Sequence, residues 1–407
     1  MILIKCFTPS HIDNISACLR LEPEEMILVG SGEEMQAPAD RYRRLLKQRR
    51  LDTRLRLCDV DPMDLCRISR ELSTLIPRET ECVIDLTGGD ETVIMAVGAL
   101  LSWPGHENRQ NIRVQIGDRQ LGIAPECPVD SGSVPPAPVQ LRVEELILLH
   151  GGVLLPGPDQ PAADRGTRAI DGLWSMVCQD PRQWNKSITQ LNELESRSDS
   201  RSHIYLPLEQ LRGRIPNFHE KENLVRQLLA RFDAHGIIQD RSTACALEYK
   251  YTSDLMRYCT LKAGNVLEVK TLLEGRKASE NGSPFFNDCR MSVSIDWDGI
   301  LYPARQRIPE TRNEIDVVLM HGTTPLFISC KNGNIGEEEL YKLHTVATRF
   351  GGPNARKMLI ATDLDRKSAS ANRAFTQRAW DMDIFLVSDA DDLSREEWSR
   401  VLIRAMQ

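Results

Sequence analysis

The sequence contains no long apolar segment. Its 407 residues include no run of about 18 apolar residues, the length that a helix needs to cross a bilayer. The opening stretch, MILIKCF, has the pattern of a strand and lacks the basic start and the cleavage site of a signal peptide. We therefore expect a cytoplasmic protein with no membrane partner.

The cysteines and the charge balance argue against three further classes of protein. The 11 cysteines form no CxxC pair and no Cys/His ligand spacing, so neither a zinc site nor a disulfide framework is expected. A net charge of −7 argues against non-specific binding of nucleic acid by the whole surface, so any such contact must be local. Residues 41–50 are basic but typical of a solvated helix face. A second basic cluster, formed by Arg305, Arg307 and Arg312, is a better candidate for contacting a substrate backbone.

The chain is too long for one ordinary core, and its pattern changes twice along its length. We predict three domains, over residues 1–145, 146–255 and 256–407. In the first, short β-rich runs such as MILVG and CVIDL alternate with helical spacing, which predicts a Rossmann-like parallel sheet. Pro-rich segments at 124–138 and 154–164 predict linkers. The later stretch HEKENLVRQLLARFDAHGIIQDRST indicates a helix that ends at a glycine, as in a winged helix or another helical connector.

Two loops of the first domain follow predicted strands, where ligands of such sheets bind. They are FTPSHIDN after the first strand and DLTGGDET after the fourth. In the second loop, Thr87, Gly88 and Gly89 lead into a helix that begins near Asp90, so backbone N–H groups and a hydroxyl could hold a phosphate. A tight strand-to-helix turn would also explain the glycines.

Residues 313–333, NEIDVVLMHGTTPLFISCKNG, predict a β-hairpin that carries unusual charge. Because side chains alternate along a strand, Glu314 and Asp316 share one face of the first strand. Ser329 and Lys331 likewise share a face after the predicted turn HGTTP. A register that pairs Asp316 with Ser329 places Glu314 opposite Lys331. A slip of one residue would reverse the arrangement.

Converging carboxylates in a partly buried hairpin need a positive partner. A divalent cation with oxygen ligands, Mg²⁺ or Mn²⁺, meets that need at Glu314 and Asp316. Lys331 could then stabilise negative charge or orient water for attack on a phosphodiester. The alternative is a cross-strand salt bridge between Glu314 and Lys331, with Asp316 exposed.

The hairpin resembles the core of PD-(D/E)xK nucleases, with Asp316 as the first-strand aspartate and Lys331 as the terminal lysine. The surrounding order agrees: AGNVLEVKTLLEG as a helix, RMSVSIDW as a strand, then the hairpin, a helix, the strand KMLIAT, a second helix and the strand DIFLVS. The resemblance implies that Glu268 of the first helix joins the metal site. A solvent-facing glutamate beside Lys270 is the alternative.

One position departs from that motif. Ser329 stands where the nucleases have a second acid, and a hydroxyl is a weak metal ligand. We expect Glu314 to supply the missing charge, and the resemblance implies that the backbone carbonyl of Cys330 completes the ligand set. Asp298, in DWDG, is a further candidate ligand or an ordinary turn residue.

Together the two ends of the chain resemble the CARF-domain nuclease effectors of type III CRISPR systems. The resemblance implies an α/β protein with an N-terminal Rossmann-like CARF domain, a helical or winged-helix-like connector and a C-terminal restriction-endonuclease-like domain. It also implies a homodimer that binds a cyclic oligoadenylate, cyclic tetraadenylate rather than hexaadenylate. The ligand residues would be Thr8, Pro9, Ser10, Asn14, Thr87, Gly88 and Gly89. Asp90 and Glu91 depart from the family, and these acids would repel phosphate unless they cap the helix.

The function expected from the sequence is that of a ligand-activated, metal-dependent nuclease that cleaves DNA or RNA, as single strands or by nicking. Two alternatives stay open. Ser329 is consistent with a sensor whose nuclease domain has lost its activity. An unregulated restriction or repair nuclease would cut without any cyclic nucleotide.

Overall fold

The computed structural model describes most of the 407 residues. It leaves out positions 62, 77–79, 103–110, 118, 122–136, 158–159, 161–166, 199, 201–202, 213–214, 301–311, 334 and 365–368, and the side chains of 120, 369 and 370. Most of both predicted linkers, and the basic residues Arg305 and Arg307, therefore lie outside the described residues. No helix in the described part has the length and apolar character needed to cross a bilayer.

The chain forms two compact units. The first contains Met1–Leu154 and the segment that starts at Asp296, and the second contains Leu155–Ile295 and Arg312–Gln407. The elements of the first unit are β1 (Ile2–Cys6), α1 (His11–Leu21), β2 (Glu25–Gly30), α2 (Gly32–Gln48), β3 (Arg54–Asp59), α3 (Leu65–Leu75), β4 (Cys82–Asp85), α4 (Glu91–Ser102), β5 (Ile112–Ile116), β6 (Arg119–Leu121), α5 (Val143–Leu149) and β7 (Val153–Leu154).

The sheet of the first unit is Rossmann-like, as predicted. Its strand order is β3-β2-β1-β4-β5-β6. All neighbours are parallel except the antiparallel pair of β5 and β6. The apolar residues of β1, β2 and β4 are buried because helices cover a sheet of this kind. The chain leaves β1 towards one edge and returns at β4 to build the other, so the topological switch point lies between these two strands.

The second unit begins with a mainly helical region and ends with a larger sheet. Its elements are α6 (Thr167–Gln179), α7 (Pro181–Glu195), β8 (His203–Pro207), α8 (Leu208–Arg212), α9 (Phe218–Ala234), β9 (Ile238–Asp240), β10 (Ala246–Tyr251), α10 (Asp254–Leu261), α11 (Asn265–Lys277), β11 (Ser279–Glu280), β12 (Ser283–Pro284), β13 (Asp288–Asp296), β14 (Arg312–His321), β15 (Thr324–Asn332), α12 (Glu338–Gly351), β16 (Arg356–Thr362), α13 (Ala369–Asp381), β17 (Ile384–Val387) and α14 (Arg395–Arg404).

A small antiparallel sheet in this unit has the order β8-β10-β9. It follows α7, and α8 and α9 connect its first strand to its hairpin. The sequence of elements, helix, strand, two helices and two strands, matches that of a winged helix. The predicted helix is α9, and Gly236 follows it with a φ of 72°, a conformation that glycine adopts without strain.

Five strands of the larger sheet lie in the order β17-β16-β15-β14-β13. β15, β16 and β17 are parallel, while β14 and β15 form the predicted antiparallel hairpin. Its register runs from Val317 opposite Ile328 to His321 opposite Thr324, and its continuation pairs Asp316 with Ser329. The turn is shorter than predicted, since β14 ends at His321 and β15 begins at Thr324. α11 packs against β14 and β15, and α12 packs against β15 and β16.

Candidate functional sites

The two predicted ligand loops of the first unit meet at the switch point. They follow β1 and β4, which are parallel neighbours. A Cβ at Gly88 would lie 3.0 Å from the hydroxyl oxygen of Thr8, and a Cβ at Gly89 would overlap that of Cys6. Gly88 also has a φ of 63°, which favours glycine. The second loop can adopt this conformation only because residues 88 and 89 are both glycine.

Side chains next to the first loop hold its backbone in place. Asn14 is fully buried. Its Oδ1 accepts from the Thr8 N–H at 3.0 Å, and its Nδ2 donates to the Thr8 carbonyl at 2.7 Å and to the Tyr42 hydroxyl at 3.0 Å. Ser10 caps α1 by accepting from the Asp13 N–H at 3.4 Å. Asn14 thus supports the loop, while Ser10 still has a hydroxyl proton to donate.

A buried lysine, which the sequence analysis did not select, lies beneath the second loop. Lys5 of β1 is fully buried, its Nζ donates to the Thr87 carbonyl, and it lies 3.8 Å from Asp85 Oδ2. Asp85 in turn accepts from the N–H and the hydroxyl of Thr87. Burial lowers the pKa of Lys5, and the charge of Asp85 opposes that shift. The signal was visible as one lysine inside the apolar run MILIKCF.

The acids that follow the second loop lie at the start of α4. Asp90 precedes this helix, and its Oδ1 accepts from the Thr92 N–H at 2.9 Å. Glu91, the first residue of α4, is exposed. Asp90 is therefore a helix cap, which is the arrangement expected of an acid that would lie beside a phosphate at this helix end.

In the second unit, Asp316 lies at the centre of the hairpin cluster. Its Oδ2 accepts from the Cys330 N–H at 2.6 Å, from Lys331 Nζ at 3.2 Å and from the Ser329 hydroxyl at 3.3 Å. The register therefore brings Asp316, Ser329 and Lys331 together, along with the backbone of Cys330. None of these three donors bonds to the other carboxylate oxygen, Oδ1.

Lys331 has a second acidic partner that the sequence analysis missed. Its Nζ lies 3.3 Å from Glu339 Oε2 in the first turn of α12, and the other oxygen of Glu339 pairs with Lys342 at 2.7 Å. Burial lowers the pKa of Lys331, but Asp316 and Glu339 outweigh it, so the net shift is upward. Glu314, the acid expected beside Lys331, is exposed.

Glu268 is not the solvent-facing residue of the alternative interpretation. Its Oε2 accepts from the Tyr258 hydroxyl at 2.8 Å, and that hydroxyl also contacts Ser292 at 2.6 Å. Burial raises the pKa of Glu268 to about 7, and the charges of Asp316 and Glu314 add to the shift. Glu268 is therefore close enough to both acids to feel their charge. Tyr258 and Ser292 carried no signal in the sequence.

Asp298 has the geometry of a turn residue. It is exposed, and its Oδ1 accepts from the Ile300 N–H at 2.9 Å. The turn interpretation of DWDG accounts for these observations.

Solved structures share the fold over the whole chain. VC1899 from Vibrio cholerae has a TM-score of 0.68 at 16% identity, with 100% of this chain and 97% of that chain covered. Can2 from Sulfobacillus thermosulfidooxidans, in complex with cyclic tetra-adenylate, has a TM-score of 0.61 at 15% identity, with the same coverage. This chain therefore shares the fold of these two structures. After the resemblance described in the sequence analysis, we label the first unit the CARF unit and the second the nuclease-like unit.

A further solved structure matches this chain more weakly. A type III CRISPR defence DNA nuclease activated by cyclic oligoadenylate has a TM-score of 0.47 at 17% identity. The match covers 89% of this chain and 45% of that chain, and the score is too low to carry a conclusion. No family model and no curated protein matches the chain.

The donor chemistry of the nuclease-like unit fits a hard divalent cation. Glu268, Glu314 and Asp316 offer carboxylate oxygens, the ligands that Mg²⁺ and Mn²⁺ prefer. The raised pKa of Glu268 reflects burial and nearby negative charge. A bound cation would stabilise the ionised carboxylate against both effects. As they stand, no three His, Cys, Asp or Glu side chains within the described residues form a ready ligand set.

Proposed function

We propose that the protein is a nuclease of type III CRISPR defence, activated by a cyclic oligoadenylate and dependent on Mg²⁺ or Mn²⁺. One observation carries the proposal: a single chain with the fold of Can2 combines a two-loop site at the switch point of its CARF unit with an Asp316–Lys331 cluster in its nuclease-like unit. Can2 holds cyclic tetra-adenylate, so cyclic tetraadenylate is the first activator to test and cyclic hexaadenylate the second.

The proposed ligand site consists of the loops after β1 and β4. The hydroxyl of Ser10 and the N–H group of Gly88 would contact the phosphates, near the N-terminal ends of α1 and α4, where backbone dipoles favour negative charge. Thr87 and Gly89 would shape the loop, because the Thr87 hydroxyl already donates to Asp85 and the Gly89 N–H donates to the Leu86 carbonyl at 3.2 Å. Pro9 shapes the first loop. Thr8 is almost fully buried, and Asn14 supports the Thr8 backbone.

The proposed catalytic residues each have a separate task. Asp316 and Glu268 would hold the cation, with Glu314 and the Cys330 carbonyl as further oxygen donors. A bound Mg²⁺ or Mn²⁺ would supply Lewis-acid stabilisation of negative charge on the phosphodiester. The Nζ of Lys331 lies 3.2 Å from Asp316 Oδ2. Its ammonium would stabilise the negative charge that develops on the phosphodiester.

Activation requires that the ligand bind the active arrangement more tightly than the resting one. In a homodimer, one ring would span the CARF units of both chains. Binding of the ring would then be coupled to the arrangement of the two nuclease-like units. A difference in binding free energy of about 3 kcal/mol would change the ratio of the two arrangements about 150-fold.

The test is cleavage of labelled single-stranded DNA, single-stranded RNA and supercoiled plasmid with Mn²⁺, with and without cyclic tetraadenylate or hexaadenylate. We expect ring-dependent cutting by the parent. Asp316→Ala should abolish cutting and leave ring binding unchanged, because Asp316 lies in the other unit. Equal cutting by Asp316→Ala and the parent would show that the site assignment is wrong.

A second candidate function is a sensor without nuclease activity, which Ser329 at the position of the second acid favours. In that case the protein binds the ring and cuts none of the substrates. Cutting at the same rate with and without the cyclic oligoadenylate would instead indicate an unregulated nuclease.

A further inference from the structure

The small antiparallel sheet of the nuclease-like unit has one face that is open to solvent. Because side chains alternate along a strand, Ile204 and Tyr249 are buried on one face, while their neighbours lie on the other. The register places Lys250 of β10 between His203 of β8 and Gln239 of β9. We call this second face the outer face, and its residues are His203, Tyr205, Gln239, Arg241, Glu248 and Lys250.

Two cations of the outer face have no acidic partner. Within the described part of the chain, neither the Arg241 guanidinium nor the Lys250 ammonium forms an ion pair. The acid of this face, Glu248, contacts Nε2 of His203 at 3.0 Å. A cavity of about 330 Å³ lies over the cations, and its described lining residues include no acid; they are His203, Gln239, Arg241, Tyr249 and Lys250. The cavity therefore offers donors and positive charge, which fit a phosphate group.

An exposed aromatic ring adjoins these cations. Tyr205 of β8 is 53% exposed and lies opposite Glu248, two residues along β10 from Lys250. Sheets bind single strands with this combination, because the cations hold the phosphates while an unpaired base stacks on the ring. A free phosphate or a lipid headgroup would use the cations but not the ring. The outer face therefore fits a single strand of nucleic acid best.

Helix α7 connects this sheet to the end of β15. Near the end of the helix, Glu195 accepts from the Tyr249 hydroxyl at 2.7 Å. Near its start, Asn185 donates to the carbonyl of Asn332, the residue after Lys331, at 3.3 Å. Ten positions separate residues 185 and 195, which is about 15 Å along the helix axis. A short single strand can cover that distance, so the sheet lies within reach of a strand held near Lys331.

We propose that the outer face binds single-stranded nucleic acid, with Arg241 and Lys250 on the phosphates and Tyr205 against an unpaired base. The inference adds a binding surface to the proposed nuclease, and it rests on that function for the identity of the bound strand as the substrate. It assigns a role to a sheet that neither the ligand loops nor the hairpin includes.

The first test measures binding of a labelled single-stranded oligonucleotide by fluorescence anisotropy over a series of salt concentrations. Asp316→Ala is the background, so that the strand is not cut. Arg241→Gln and Lys250→Gln should each weaken binding and reduce the slope of log K against log salt by about 0.7, the value for one phosphate contact of a single strand. Arg395→Gln is the matched control, because it removes the same charge from an exposed position of α14. It should bind as the background protein does.

The second test separates stacking from charge. Tyr205→Ala should weaken binding of the normal strand about 5-fold or more, because it removes the ring on which a base stacks. Tyr205→Phe keeps the ring and should keep most of the affinity. Both variants should bind an abasic strand of the same length as the background protein does, since that strand has phosphates but no bases.

Unchanged affinity and salt slope in Arg241→Gln and Lys250→Gln would overturn the inference, even if the parent shows ring-dependent cutting and the proposed function stands. Equal binding of the abasic and the normal strand would also overturn it, because the outer face would then be a simple anion site. Strand binding that depends on Arg241, Lys250 and Tyr205, in a parent that cuts nothing, would support the surface and overturn the proposed nuclease instead.

Discussion

The buried Lys5–Asp85 pair allows a quantitative prediction about the CARF unit. Lys5→Met keeps a side chain of similar length but removes the ammonium that lies 3.8 Å from Asp85 and donates to the Thr87 carbonyl. Asp85 is 2% exposed, so its buried charge would lose the ammonium partner, and the charge of Arg20 would offset only part of that loss. Breaking such a pair costs about 3–5 kcal/mol.

The double variant Lys5→Met with Asp85→Asn removes both charges. Replacing a buried pair by neutral residues is often close to neutral in stability, so most of the loss should be recovered. The Thr87 carbonyl would still lack its donor, and a hydrogen bond to a charged group contributes about 1.5–3 kcal/mol. We therefore expect cyclic tetraadenylate to bind the double variant about 10-fold or more weakly, even though it is stable.

The assay is hydrogen exchange of peptides from β1 and β4, which reports the opening free energy of this unit alone. Ring binding is measured by calorimetry on the same samples. Lys47→Met, at an exposed position of α2, is the control and should stay within about 0.5 kcal/mol of the parent. A cost below about 1 kcal/mol for Lys5→Met, or a double variant as unstable as the sum of its parts, would refute the reasoning.

Two further predictions concern the ligand loop and the nuclease-like unit. Gly89→Ala should destabilise the CARF unit by about 1–3 kcal/mol and weaken ring binding, because its Cβ would overlap that of Cys6. Gly98→Ala is the control on α4, where a Cβ meets open space, and it should raise the free energy of unfolding by about 0.5–1 kcal/mol. Equal shifts in melting temperature for the two variants would contradict the overlap at Gly89. The pKa of Glu268 is raised from 4.5 to about 7, so the folded protein binds the extra proton between these values and loses stability as pH rises through them. Metal-free Glu268→Gln should thus be more stable than the parent at pH 8, by about 3 kcal/mol, and this difference should disappear by pH 4. A difference in stability that does not change with pH would exclude this cause.

Much of the fold follows from local patterns. The first five strands of the CARF unit, the hairpin and the helices around it were predicted, because side-chain periodicity and turn residues act over a few neighbours. The hairpin register was also accessible, since a slip would have moved Val317 and Ile328 out of the core. Asp316 and Lys331 could be selected on that basis, and their catalytic roles stay predictions.

Contacts that cross between elements could not be predicted in the same way. Glu339 lies eight positions after Lys331 on a different element, and Tyr258 reaches Glu268 from α10. Neither residue has a neighbour in the sequence that marks its role. Asn14 was selected as a ligand residue, and only its burial and its bonds to Thr8 indicate that it supports the loop instead.

The sequence by itself determined which segments become strands and helices, and which strand faces carry charge, because these depend on residues close together in the chain. Only the tertiary structure decided which acid shares Lys331 with Asp316, and that a buried lysine lies under the ligand loop. Those pairings depend on how helices pack on sheets. Packing brings distant residues within a few ångströms, and electrostatic energies change most steeply over that range.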